Sequence, residues 1–226
     1  MARICYTAGV LEPEVILEAY RRGIFPMAVD KRGTIGWFSP DPRGVIPLDA
    51  RFHVPHGLRR VWKHCAVVKH GAVGTPRPTG RAGCPSPPSP KFEITFDQDF
   101  PAVIRECAER RDGTWISPGI IAGYSRLHKL GHAHSVETRL NGKLVGGLYG
   151  VHIGAAFFGE SMFHRVTDAS KVALVALVER LRQCGFVLLD TQWHTPHLRQ
   201  FGAVEISRAE YRRILDRAIT FECAFR

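Results

Sequence analysis

The chain has 226 residues, 45% of them hydrophobic and 23% charged, enough to bury one substantial core or one core with a small added lobe. No apolar run reaches the roughly 18 residues needed to cross a bilayer, and Met1-Ala2-Arg3-Ile4 lacks the apolar stretch of a secretion signal, so a cytoplasmic protein is expected. A net charge of +10 favours polyanionic partners, because each phosphate neutralised by Lys or Arg releases condensed counterions; a proteome that prefers arginine gives the same figure, so charge alone leaves RNA binding open.

In chain order, Pro13 in a first turn, apolar Val15, Ile16, Leu17 and Ala19, and Gly23 as a stop predict a helix over 11–22. Ile24 to Met27 and Trp37 to Arg43 are too aromatic for a solvated loop and too rich in proline for a central strand, so they are expected to pack as an ordered wall. Residues 71–90 carry Pro and Gly without apolar periodicity and read as an insertion or linker. Asp99 caps a helix from Phe100 to about Arg110, and Ser117-Pro118 opens another that Gly131 closes.

Next, Asn141-Gly142 joins 134–140 to 143–151 as a hairpin with a type I′ turn, and 155–163 supplies a third strand. Ser170 is expected to cap an almost wholly apolar helix, 171–184, ended by Gly185 and followed by a buried strand, 186–190. Thr195-Pro196 starts a short helix stopped by Gly202, and Ser207 to Glu210 form a capping box for the last one. This order of elements is that of an α+β GCN5-like N-acyltransferase domain, with a mixed, mainly antiparallel sheet, preceded by a small N-terminal domain. The expected boundaries are 1–65, a linker at 66–90, and the acyltransferase domain at 91–226. The fold suggests acyl transfer to an amine and does not fix the donor.

Strict alternation along 155–163 puts Phe158, Glu160 and Met162 on one face, with Phe157, Gly159 and Ser161 on the other. A carboxylate among apolar neighbours is costly unless paired, so Glu160 is a candidate for cation binding or unusual titration, with an internal Arg or Lys as the plain alternative. Asp190 ends the apolar strand and Gln192 follows two residues on; an acid and an amide there can share one substrate amine, although a strand-end Asp often satisfies only turn N–H groups. Lys171 in a first turn opposes the helix dipole and asks for an anionic partner. The scattered Cys5, Cys65, Cys84, Cys107, Cys184 and Cys223 and the histidines show no zinc spacing, so free thiols and no metal are expected.

Several strings in this chain, among them Tyr20-Arg21-Arg22-Gly23-Ile24-Phe25-Pro26, Trp37-Phe38-Ser39-Pro40-Asp41-Pro42-Arg43, Gly113-Thr114-Trp115-Ile116, Leu144 to Val151, Phe158-Gly159-Glu160-Ser161-Met162-Phe163 and Leu189-Asp190-Thr191-Gln192, resemble the leucyl/phenylalanyl-tRNA–protein transferase family. The resemblance implies transfer of Leu or Phe, and less readily Met, from aminoacyl-tRNA to proteins beginning with Arg or Lys, which marks them for degradation. It implies no cofactor, neither metal nor CoA; apart from it, no membrane partner and a monomer are expected. On it, Asp190 and Gln192 hydrogen-bond and help deprotonate the attacking amine, and Glu160 positions substrate. The acyl side chain enters a pocket of Trp115, Leu148, Phe157, Met162, Leu177 and Leu189, beside Gly159, Ser161 and Thr191, while Met27, Trp37 and Phe38 sit near the terminal adenosine. Arg21, Arg22, Arg43 and Lys171 are expected to touch tRNA phosphates.

The main alternative is a CoA-dependent N-acetyltransferase of the same fold, against which 164–171 lacks the glycine-rich turn that binds pyrophosphate. A non-catalytic RNA-binding protein is the other. It gives Asp190 no role, whereas on the transferase reading Asp190→Ala abolishes transfer and leaves tRNA binding nearly unaltered.

Overall fold

The computed structural model describes residues 2–7, 11–68, 92–109 and 113–225; the expected insertion at 71–90 lies outside them. The first half runs β1 (Ala2–Thr7), α1 (Pro13–Arg21), β2 (Phe25–Ala28), β3 (Ile35–Ser39), β4 (Arg43–Ile46), α2 (His56–Lys63) and β5 (Ala66–Val67). The second half runs β6 (Glu93–Phe96), α3 (Phe100–Ala108), α4 (Pro118–Lys129), β7 (Ala133–Leu140), β8 (Lys143–Ile153), β9 (Ala156–His164), α5 (Ala169–Gln183), β10 (Leu188–Gln192), α6 (Pro196–Arg199), β11 (Val204–Ile206) and α7 (Arg208–Ala218).

Local chemistry explains most boundaries. Asp99 and Ser117 accept the N–H groups of Ala102 and Ile120, and Asn141 and Gly142 both take positive φ, as a type I′ turn requires. The expected Ser170 cap is corrected: Asp168, in the left-handed region, occupies the N-cap of α5, and Ser170 lies inside its first turn. The wall expected at 24–27 and 37–43 is strand instead, because its prolines fall where a strand tolerates them. Pro26 is in β2, the edge of a small sheet ordered β1-β3-β2, and Pro40 and Pro42 lie between β3 and β4.

A second sheet is ordered β11-β4-β10-β9-β8-β7-β6-β5, antiparallel except for β10 with β9 and β5 with β6. Thus β4, from the segment expected as a separate N-terminal domain, is hydrogen-bonded inside the large sheet, between β10 and β11. Two apolar clusters cover its faces. Val172 to Leu181 of α5, with Leu58 of α2, pack on Phe92, Ile94, Val136, Leu148, Phe157 and Leu189. On the other face α1, α3, α4 and α7 bury Ile16, Tyr20, Val103, Tyr124 and Tyr211 against Tyr149, Val151 and Phe158.

A candidate active site between two parting strands

β9 and β10 pair in parallel from Ala156 and Leu188 to Phe158 and Asp190. Pairing stops there, although β9 runs on to His164 and β10 to Gln192. A cavity of about 740 Å³ lies at this divergence, lined by Gly159, Glu160, Ser161 and Met162 from β9 and by Leu189, Thr191 and Gln192 from β10. Its apolar wall adds Phe25, Met27, Trp115, Leu148, Leu174 and Leu177. Glu106, Glu109, His164, Arg165 and His197 also line it, and its apolar part is what a hydrophobic side chain attached to a reactive centre requires.

Glu160 reaches the polar side through an irregularity that strict alternation misses. Tyr149 pairs with Ser161 and Gly150 with Gly159, so Glu160 is the extra residue of a bulge. The faces therefore change over: Met162 joins Phe157 in the cluster beneath α5, and Phe163 joins Phe158 on the opposite side. Glu160 points among the tyrosines. The Tyr20 hydroxyl donates to its Oε1 at 2.6 Å and the Tyr124 hydroxyl to its Oε2 at 3.1 Å; the two phenol oxygens are 2.5 Å apart. Burial pushes the Glu160 pKa up to about 7, against the lowering effect of the two hydroxyl donors. Both phenols are pushed well above their usual 10.0 by burial and by Glu160, so they remain protonated donors.

Asp190 lies beside the cavity and does not line it; its side chain is 0% exposed. Arg43 grips it with Nε at 2.9 Å and Nη2 at 2.6 Å, the Tyr211 hydroxyl donates to Oδ2 at 2.7 Å, and the Gln192 backbone N–H donates to Oδ1 at 2.8 Å. Burial acts to lower the Arg43 pKa, but Asp190 outweighs it and the net shift is upward. Gln192, held at φ +59° past a register shift in β10, turns its amide into the cavity, with Nε2 3.4 Å from Glu160 Oε1. Gly44 of β4 makes the approach possible, since a Cβ there would lie 2.4 Å from the Trp193 carbonyl carbon. The two acids are thus neighbours bridged by Gln192.

Of the expected pocket residues, Met27, Trp115, Leu148, Gly159, Ser161, Met162, Leu177, Leu189 and Thr191 line the cavity. Three do not. Phe157 is fully buried against Phe186 and Phe225, Trp37 is buried in the core, and Phe38 packs on Phe25 at 6.2 Å. Arg43 is corrected as a tRNA contact: at 1% exposure, with its donors committed to protein, it reaches no phosphate. Arg21 and Arg22 are exposed beside Glu18, and Lys171 pairs with Asp168 at 2.9 Å. Sequence reasoning missed Tyr20, Tyr124 and Tyr211, although Tyr20 follows Ile16 on the buried face of α1 at helical spacing. It also missed α2, whose Arg59, Arg60 and Lys63 are exposed and make no ion pair among the described residues.

The family model described as leucyl/phenylalanyl-tRNA protein transferase matches residues 87–216, and that of its N-terminal domain matches residues 9–41. A leucyl/phenylalanyl-tRNA–protein transferase from Akkermansia muciniphila is 48% identical over 211 residues, covering 92% of this chain and 96% of the relative. One from Rubrobacter xylanophilus is 49% identical over 216 residues, covering 95% and 98%. Among solved structures, a conserved protein of unknown function from Staphylococcus epidermidis aligns with a TM-score of 0.41 at 9% identity, over 91% of this chain and 68% of that one, too distant to bear on the fold. With matches that span the chain from its first helix to its last, this chain belongs to the leucyl/phenylalanyl-tRNA–protein transferase family and is an aminoacyl-tRNA–protein transferase.

Proposed function

We propose that the enzyme takes Leu or Phe, and less readily Met, from aminoacyl-tRNA and joins it to the N-terminal Arg or Lys of acceptor proteins, creating a degradation signal. The observation that carries this reading is the apolar cavity with Glu160 and Gln192 on its polar side. The acyl side chain lies against Leu148, Met162, Leu177 and Leu189, and the ester carbonyl carbon faces the two polar groups. The Gln192 amide oxygen, left over when Nε2 faces Glu160, accepts a hydrogen bond from the acceptor amine and holds its lone pair toward that carbon. As the N–C bond forms, Glu160 takes the amine proton; when the ester C–O bond breaks, the bonding pair stays on the tRNA ribose oxygen and Glu160 returns that proton to it, so the ribose leaves as a hydroxyl and the carboxylate is restored. No cofactor enters these steps.

The divergence of β9 and β10 supports a GCN5-like N-acyltransferase fold, with the acyl donor between the strands. Exposed Arg21 and Arg22, and the basic face of α2, fit contact with tRNA phosphates, read by shape and charge more than by base. Transfer of labelled Leu from Leu-tRNA to a peptide beginning with Arg, and not to one beginning with Ala, is the expected result; equal labelling of both, or labelling from acetyl-CoA, refutes it. Leu148→Ala should widen the cavity and move the Phe-to-Leu ratio of kcat/KM toward Phe by about tenfold, since apolar contacts discriminate by about 1–3 kcal/mol per methylene.

A further inference from the structure

We propose that Arg43 and Tyr211 are positioning residues for transfer, setting the aim of Gln192 through Asp190. The inference rests on the reading that Gln192 meets the acceptor amine. Four donors surround the Asp190 carboxylate, and one of them is the main-chain N–H of Gln192 itself. That bond fixes the residue in its left-handed conformation, at φ +59°, which a side chain adopts only where its surroundings hold it. The direction of the Gln192 amide therefore depends on where Asp190 stands, and Arg43 and Tyr211 decide that.

Arg43 also holds the opposite wall. Its Nη1 donates to the Gly23 carbonyl at 2.9 Å, at the turn that leads into Phe25 and Met27 of the cavity lining. The guanidinium carbon lies over the Phe25 ring at 5.1 Å and over the Tyr211 ring at 4.4 Å from their centroids. One buried cation thus ties the wall that receives the acyl donor to the strand that presents the acceptor. Stability alone is a poor reason for such a pair, since a buried ion pair is often no better than apolar residues of the same volume.

A double-mutant cycle on the full chain tests this. Tyr211→Phe removes one hydroxyl and keeps the ring on Arg43. It should lower kcat about tenfold, leave the KM for aminoacyl-tRNA within about twofold, and have almost no further effect on kcat in a Gln192→Ala background. An unchanged kcat in Tyr211→Phe, even with a lowered Tm, overturns the proposal, as do kcat losses that multiply in the double variant. If Gln192→Ala alone leaves kcat unaltered, it is the underlying reading of Gln192 that fails. Arg43→Lys, which loses the bidentate grip, should lower kcat and raise the donor KM together; a donor KM that does not move refutes the link to the Gly23 wall.

Discussion

Asp190→Ala should unfold the protein at a temperature lower by about 6–20 °C. The carboxylate is 0% exposed and the guanidinium facing it 1%, and removing one partner of a buried pair costs about 3–5 kcal/mol because the other charge is left without compensation. For a chain of this size each kcal/mol is worth about 2–4 °C in Tm. Thermal unfolding checks it; a Tm within about 2 °C of the unaltered protein refutes it. The pair and its apolar replacement should differ in kind, with Arg43→Met combined with Asp190→Leu recovering much of the lost Tm. Because Asp190 lies outside the cavity lining and holds the Gln192 backbone, Asp190→Ala should also abolish transfer, through the lost aim of Gln192; its effect on tRNA binding is measured below the lowered Tm.

Glu160→Gln should reduce kcat by roughly 10²–10⁴-fold, the usual worth of a placed proton acceptor. With Glu160 as the proposed proton acceptor, only its ionised form can act, so kcat should rise with pH through a limb near 7, where burial has placed this group. The limb should be absent in Glu160→Gln; its survival there would assign it to another group. Stability should move the other way. The carboxyl titrates near 4.5 when unfolded and at about 7 when folded, so between these values the native state holds a proton that the unfolded state has lost. The stability from this group is therefore full below about 4.5 and falls as pH rises through about 7, by at most about 3 kcal/mol. Glu160→Gln should accordingly melt higher than the unaltered protein at pH 8 and close to it at pH 4.

Helix ends and the hairpin were legible because their signals are local. Asp99, Ser117, Thr195 and Ser207 each accept an N–H within their own first turn, and Asn141-Gly142 needs only its own backbone. β4 was not legible, since its four residues beside prolines become a strand only through partners in β10 and β11. Nor was the role of Arg43. Arginine reads as surface until a buried acid appears opposite, and Asp190 lies 147 residues away. In the candidate site the cavity lining was largely anticipated on family resemblance, whereas the Glu160 bulge, which carries Met162 to the face opposite the one expected, leaves no mark in a pattern of period two. The tyrosines around Glu160 come from α1 and α4, brought together only by packing.

The place of β4 also constrains how the chain reaches this state. The residues that flank β10 on one side are made early during synthesis, while the strand itself and its other neighbours follow more than a hundred residues later. The early segment must wait, with its hydrogen-bonding groups unmatched, until the closing end of the polypeptide emerges. Sheet closure over such a separation is slow, because loop entropy is lost before any contact compensates for it. A nascent chain halted before residue 188 should therefore lack this corner of the sheet, and the Arg43 guanidinium should find its carboxylate only once synthesis is nearly finished.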